Sequence, residues 1–235
     1  LVPQLPNAIT IEGEEAEHLV VVRRAEVGEP VELIDGHGGI AHGRVTAMQR
    51  SKKAPTITIE LTTISTLPEP ACQITIWSAI PKGDRSATMI DMLAQVGAHA
   101  WAPLHTTRGV VEASDHKASR LHRVATEASK QSGRPWHLEI LPAASLQSIA
   151  SWRQSHSNSQ VFIADAQGLT TLPVAPLSKP IHALLLVGPE GGFTDQELQT
   201  ARASGANMLA LGEHILRIET AAIAGAVTLL NAWRE

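Results

Sequence analysis

The sequence predicts an α/β protein: a carboxyl-terminal domain on a mainly parallel sheet, preceded by a small amino-terminal β-barrel. Three observations carry this. From Gln73 onward short apolar runs alternate with longer helical patterns, the order that βαβ units produce. Before Thr66 the apolar runs are short, rich in β-branched residues and separated by turn residues, a spacing that suits a small barrel. Between the two parts, residues 66–70 (TLPEP) form a stiff polar connector, so the domains are expected at 1–68 and 71–235.

In the first part, residues 14–24 read as a short helix with Leu19, Val20 and Val22 toward its buried side. Strands are expected at 31–34, 40–48 and 56–62, parted by DGHGG (35–39) and the basic RSKKAP (50–55). In the second part the expected order is strand 73–80, helix 84–96, strand 100–104 and helices 115–132 and 146–154. Strands 160–164 and 182–187, helix 195–204, strand 208–211 and helix 219–233 complete it. The Ser-rich segment 151–160 reads as a surface connection. In the last helix Ala221, Ala222, Ile223, Ala224, Ala226, Val227, Leu229 and Leu230 leave scarcely any polar face. Such a helix needs burial on more than one side, which a second copy of the chain would supply.

Bulk properties narrow the class. A chain of 235 residues with 43% hydrophobic content builds a real core and suits two domains. The single cysteine, Cys72, excludes an internal disulfide and argues for a reducing, cytoplasmic setting. No secretory signal is expected at the start, and the longest uncharged apolar stretch, 220–233, is short for a membrane span. The chain opens on Leu1 and not Met, so a few native residues are expected to precede it. The eleven histidines show no H-E-x-x-H or Cys/His ligand spacing, and no G-x-S-x-G is present, which argues against a metal or a serine nucleophile. A formal charge of −4 does not advertise a nucleic-acid binder, but the distribution is uneven. Residues 117–134 carry five basic residues against Glu127 alone, net +4, which leaves −8 elsewhere. On a helix, Arg120, Arg123, Lys130 and Arg134 share one stripe that could meet phosphates; a solvated charged face is the alternative.

The densest signal is 184–198, LLLVGPEGGFTDQEL, with its partner 211–220, LGEHILRIET. An apolar run breaks at Gly188, Pro189, Gly191 and Gly192, and Thr194 opens a helix with Asp195 and Glu197 in its first turn. Loops beyond the carboxyl ends of buried strands form ligand crevices, and glycines let backbone approach the ligand. The loop matches neither phosphate-binding glycine pattern, and Glu190 at its centre would repel a phosphate. A neutral or cationic ligand bearing ribose hydroxyls fits better. Taken alone, the motif reads as readily as an ordinary strand-to-helix turn.

These two motifs, with PKGDRSATMIDMLAQVGA (81–98) and ATEASKQSGR (125–134), resemble the bacterial 16S ribosomal RNA uridine N3-methyltransferase family, within the SPOUT class of knotted methyltransferases. The likeness covers most of the chain. It departs at Glu213-His214, Ile218, Thr107, Met92, Gln95 and Lys130. The resemblance implies a PUA-like RNA-binding barrel joined to a SPOUT domain that is tied in a trefoil knot, holds S-adenosyl-L-methionine and forms a homodimer. Knots are almost absent from proteins, so the knot rests on resemblance alone.

The resemblance also implies roles. Loops around Ala164 and Asp165, Val187, Gly188, Glu190, Gly191 and Gly192, and Leu211, Gly212, Ile215 and Leu216 would enclose the cofactor. Arg23, Arg24, Arg44, Lys52 and Lys53 in the first domain, and Lys82, Arg85, Arg120, Arg123, Lys130 and Arg134 in the second, would meet ribosomal RNA of the small subunit. Methyl transfer needs chiefly in-line positioning. The uridine N3 proton must leave, and Arg217, with Arg108 as a second basic group, would stabilise the anion while Thr220 orients loop or base. A lone histidine beside a loop, such as His214, is more often structural, and no general base is assigned. Another RNA position, such as a ribose 2′-hydroxyl, and a non-catalytic ribosome-assembly protein remain alternatives.

Overall fold

The computed structural model describes residues 8–51, 54–110, 115–169 and 181–233. The chain divides into two compact units between Pro68 and Glu69.

In the first unit β1 (Ala8–Glu12), β2 (Pro30–Ile34), β3 (Gly39–Gln49) and β4 (Thr56–Thr66) form an antiparallel sheet in the order β1-β4-β3-β2. Among the described residues no pairing joins the edge strands β1 and β2, so the expected barrel is seen as a four-stranded sheet. The β2–β3 turn is set by Asp35, whose Oδ1 accepts from the N–H groups of His37 (2.7 Å) and Gly39 (2.8 Å). These donors, His37 first, hold the Asp35 carboxyl below its ordinary range. Ile57, Ile59, Val45 and Val31 alternate inward and meet Ala16 and Val20. The expected helix at 14–24 is α1 (Glu14–Glu17) running into a π-helical turn (His18–Val22), and it stops because Arg24 takes a left-handed backbone with φ 56°. β1 is absent from the sequence expectation although Ile9 and Ile11 alternate with Thr10 and Glu12; it is only five residues long and mostly exposed.

Among its described residues the second unit holds six strands in the order β10-β8-β9-β5-β6-β7, all five pairings parallel. They are β5 (Cys72–Ser78), β6 (Ala100–Pro103), β7 (Glu139–Ile140), β8 (Ser159–Leu169), β9 (Ile181–Val187) and β10 (Ala206–Leu209). Parallel strands need both faces covered. Ala183, Leu185 and Val187 of β9 face the layer of α2 (Arg85–Val96), α3 (Asp115–Gln131) and α6 (Ile218–Ala232). Leu184 and Leu186 face α4 (Ile149–Ser155), α5 (Asp195–Ala203) and Trp152. The expected helix at 146–154 is a 3₁₀ turn (Leu146–Ser148) leading into α4, and the two-residue β7 escaped sequence reading because it is too short to show a period. In α6 the stripe Ile218, Ala221, Ala222, Gly225, Ala226 and Leu229 is buried, while Val227 on the opposite side stays 37% exposed. A Cβ at Gly225 would overlap Leu185 Cδ2, so glycine brings α6 close onto β9.

Two local devices shape the loops at the carboxyl ends of these strands. First, β8 was expected to stop at Ala164 but runs to Leu169. Its pairing with β10 jumps from Ile163↔Met208 to Leu169↔Leu209, so residues 164–168 bow out of the ladder. The return passes Gly168, where a Cβ would lie 2.6 Å from the backbone N and C of Leu209. Second, Thr194 and Glu197 form a capping box at α5. Glu197 Oε2 accepts from Thr194 N at 2.7 Å, and its Oε1 accepts from Thr107 N at 2.7 Å. Burial pushes the Glu197 carboxyl up, but the N–H groups of Thr194 and Thr107 and their side-chain bonds outweigh it, and its pKa is lowered.

Gly168→Ala is expected to destabilise the chain by about 1–3 kcal/mol, because backbone and not a side chain must yield, and thermal unfolding measures it. Glu197→Ala should cost about 1–2 kcal/mol at neutral pH through the lost cap. Since the folded pKa is depressed, that contribution is complete above the ordinary value of 4.5 and fades as pH falls through the lowered one. Urea unfolding of parent and variant across pH should therefore diverge at neutral pH and converge in acid.

Candidate functional site

At the carboxyl ends of β8 and β9 lies a cavity of about 410 Å³. Three segments wall it: the excursion 164–167, the loop after Val187, and 211–216. All eleven residues expected around a cofactor line it: Ala164, Asp165, Val187, Gly188, Glu190, Gly191, Gly192, Leu211, Gly212, Ile215 and Leu216. Ala166, Pro189 and His214, which fall inside the loops expected to enclose the cofactor, line it too, while sequence reading missed Gln167, Phe193, Asp195, Leu198 and Ala221. Phe193 had a visible signal, being one of two phenylalanines and placed directly after the glycines.

The walls are largely backbone. Gly188 packs under Phe193, whose ring would lie 2.9 Å from a Cβ there, and Gly192 has φ 69°, a conformation costly for other residues. Asp165 closes its own turn by accepting from Gln167 N at 2.8 Å. The ionised groups on the wall are Asp165, Glu190 and Asp195; among the described residues no lysine or arginine lines it. Three carboxylates on the wall, of which Glu190 and Asp195 are exposed and Asp165 half-buried, favour a ligand carrying positive charge and disfavour phosphate.

The cations stand just outside. Arg108 Nη1 donates to Gly191 O at 2.6 Å and to Phe193 O at 3.4 Å, so this side chain grips the glycine loop. Arg85, expected at RNA, lies 3.2 Å from Glu219 and 3.6 Å from Glu190. Arg217 occupies the N-cap position of α6 next to the lining residue Leu216; it is exposed and has no side-chain partner among the described residues. Thr220 is exposed one turn further on.

The residues expected to meet RNA are dispersed. In the first unit Arg23 pairs with Glu29 at 3.3 Å, Arg44 donates to Gly28 O at 2.8 Å and Arg24 is exposed; Lys52 and Lys53 lie outside the described residues. In the second unit Lys82 is exposed, Arg120 pairs with Asp84 at 3.0 Å and Lys130 with Glu127 at 2.9 Å. Arg123 shares a shallow groove with Asp91 and Glu127. Arg134 leaves the stripe altogether: its Nη1 donates to Ala94 O at 2.9 Å in the last turn of α2, and burial pushes its pKa down to about 10, which keeps it charged at neutral pH.

A family model described as an RNA methyltransferase domain matches residues 68–230, and one described as an RNA methyltransferase PUA domain matches residues 11–60. The ribosomal RNA small subunit methyltransferase E of Synechocystis sp. is 29% identical over 239 residues, spanning 97% of this chain and 74% of that protein. Its counterpart in Bacillus subtilis is 29% identical over 221 residues, spanning 90% and 85%. Among solved structures, the methyltransferase E of Neisseria gonorrhoeae bound to S-adenosyl methionine matches with a TM-score of 0.82 at 26% identity, over 99% of this chain and 96% of that one. A Legionella pneumophila methyltransferase in complex with the same cofactor gives 0.81 at 25%, over 97% and 94%. With the catalytic-domain model spanning most of its length and the PUA model most of the rest, the chain belongs to the RNA methyltransferase family.

Proposed function

We propose that the chain is an S-adenosylmethionine-dependent methyltransferase that methylates N3 of a uridine in the RNA of the small ribosomal subunit. The observation that carries this is the cavity wall: glycine backbone and apolar surface with three carboxylates and, among the described residues, no lysine or arginine. That donor set fits the methyl donor, whose sulfonium and ammonium are cationic and whose adenosine offers ribose hydroxyls and a flat apolar base. The relatives named for small-subunit RNA, and the solved relatives bound to the cofactor, support the same reading. When bound, S-adenosylmethionine supplies the electrophilic methyl group.

The chain's own residues then act mainly by positioning. Leu211, Leu216 and Val187 offer apolar surface to the adenine, Gly188, Gly191 and Gly192 let backbone groups reach its edge, and Glu190 and Asp195 face the cationic end. Arg217 acts on the acceptor. Neutral N3 is a poor nucleophile, and an unpaired guanidinium beside the cavity stabilises the uracil anion that remains when the proton leaves. Thr220, one turn along α6, orients the base. Arg108 serves through the loop it grips. The first domain, residues 1–68, contributes RNA affinity through Arg23, Arg24 and Arg44, and the domain from residue 71 carries the chemistry. The reading extends to a cytoplasmic homodimer joined along α6, supported by the exposure of Val227. It extends also to a trefoil knot, supported by β8 standing between β9 and β10.

Calorimetry with the pure chain should show S-adenosylmethionine binding, and its absence would remove the reading. Arg217→Ala is expected to lower turnover by about 10²–10³-fold with little change in donor affinity. Gly191→Val, whose Cβ would meet Arg108 Cδ at a contact distance of 3.4 Å and whose added methyls would crowd the loop, should instead weaken the donor about tenfold. Mass spectrometry of nucleosides from treated small-subunit RNA should yield 3-methyluridine; a 2′-O-methyl product would move the target to the ribose.

A further inference from the structure

Half of the loop 188–193 is glycine, tied internally by the Phe193 ring against Gly188 and the bond from Gly192 N to Pro189 O at 2.8 Å, and it forms one wall of the cavity. Glycine segments lose the most conformational freedom on ordering, so outside contacts have to fix them. Arg108 supplies one, through the carbonyls of Gly191 and Phe193. On the other flank stands Arg85, the first residue of α2. Its Nη1 lies 3.2 Å from Glu219 Oε1, in the first turn of α6, and 3.6 Å from Glu190 Oε1, in the loop. Its Nε donates to Lys82 O at 3.3 Å.

We propose that Arg85 is a positioning residue: it ties Glu190, and with it the loop 188–193, to the amino end of α6, so that the donor cavity and the segment carrying Arg217 and Thr220 keep one geometry. Two carboxylates near one point repel unless a cation lies between them, and the same guanidinium nitrogen, Nη1, stands within 3.6 Å of both. Arg85 is 34% exposed and Glu219 15%, so this pair is shielded from water in a way that an open surface pair is not. A phosphate contact would draw Arg85 away from both acids and leave Glu219, at 15% exposure, without its cation. The sequence pattern pointed to RNA; the geometry points to the cavity wall. The proposal rests on the methyl-donor reading above for its functional consequence.

The test uses the full chain with Arg85→Gln and Glu190→Gln, singly and combined. Hydrogen exchange of residues 188–193 is followed in the ligand-free protein, S-adenosylmethionine affinity by calorimetry, and RNA affinity across salt concentrations. Arg85→Gln is expected to speed exchange in 188–193 and to weaken the donor, each by about three- to tenfold, and in a Glu190→Gln background it should add little. RNA affinity and its salt slope should stay unchanged. Additive effects would overturn the proposal, as would unchanged exchange in the loop. So would a fall in RNA affinity, with the salt slope shallower by about one and donor affinity intact. Should Arg85→Gln not fold, Glu190→Gln decides alone: it leaves the Arg85–Glu219 pair in place and must still loosen 188–193. If the parent binds no S-adenosylmethionine, the methyl-donor reading fails while loop exchange still judges the tie.

Discussion

A wall made of backbone must be held from outside, and the rest of the second unit is arranged around that constraint. β9 delivers Val187 to the carboxyl edge of the sheet as a fully buried parallel strand, which fixes where the loop begins. The capping box at Thr194 fixes where it ends, and Glu197 extends the hold by accepting from Thr107 N as well. Between these anchors the glycines leave the loop free of side-chain bulk. Arg108 then fastens the carbonyls of Gly191 and Phe193, and Arg85 fastens Glu190. Removing bulk and adding external struts are one design problem, because the first creates the entropy that the second must offset.

The same arrangement explains how charge is distributed at the site. Arginines meet the cavity's loops without lining it, while Asp165, Glu190 and Asp195 line it; Arg108 binds loop carbonyls and Arg85 offsets part of the Glu190 charge, so the lining keeps a negative excess. This separates two electrostatic tasks. The lining discriminates between ligands, and the outer arginines set loop geometry. Arg217 is the exception: it lies at the end of the lining segment 211–216, with no side-chain partner among the described residues. On the methyl-transfer reading proposed above, an unpaired cation one residue beyond that segment would meet charge that appears only during the reaction, where stabilisation has most effect on rate.

How much of this was legible depended on distance along the chain. The strand, the glycine break and the capping box are local, and residues 184–198 display all three; the apolar stripe of α6 was visible for the same reason. The struts were not legible, because their partners lie far away: Arg85 and Glu219 are 134 residues apart, Thr107 and Glu197 are 90, and Arg108 and Gly191 are 83. A basic residue in a sequence advertises its charge and not its partner, so Arg85 and Arg134 read as phosphate contacts although one spans two acids and the other caps α2. The bowed segment 164–168 was cut short for a related reason. Gly168 marks a close approach to Leu209, and a lone glycine does not announce what approaches it.

The basic stripe of α3 shows what such pairing does to an RNA reading. Arg120 and Asp84 are 56% and 89% exposed, and Lys130 and Glu127 are 30% and 59%. Ion pairs open to water hold by about 0–1 kcal/mol, so a phosphate can take over Arg120 or Lys130 at small cost and expel the acid into solvent. Arg134 cannot make that exchange, since leaving Ala94 O would uncover the end of α2 and a part-buried guanidinium. The part of the stripe able to change partner is therefore narrower than the sequence pattern: Arg120, Arg123 and Lys130 have acids as neighbours that act as exchangeable counterions, and Arg134 does not. A chain of formal charge −4 can bind RNA on such terms, because attraction is set by the few cations that can change partner and not by the sum over the molecule.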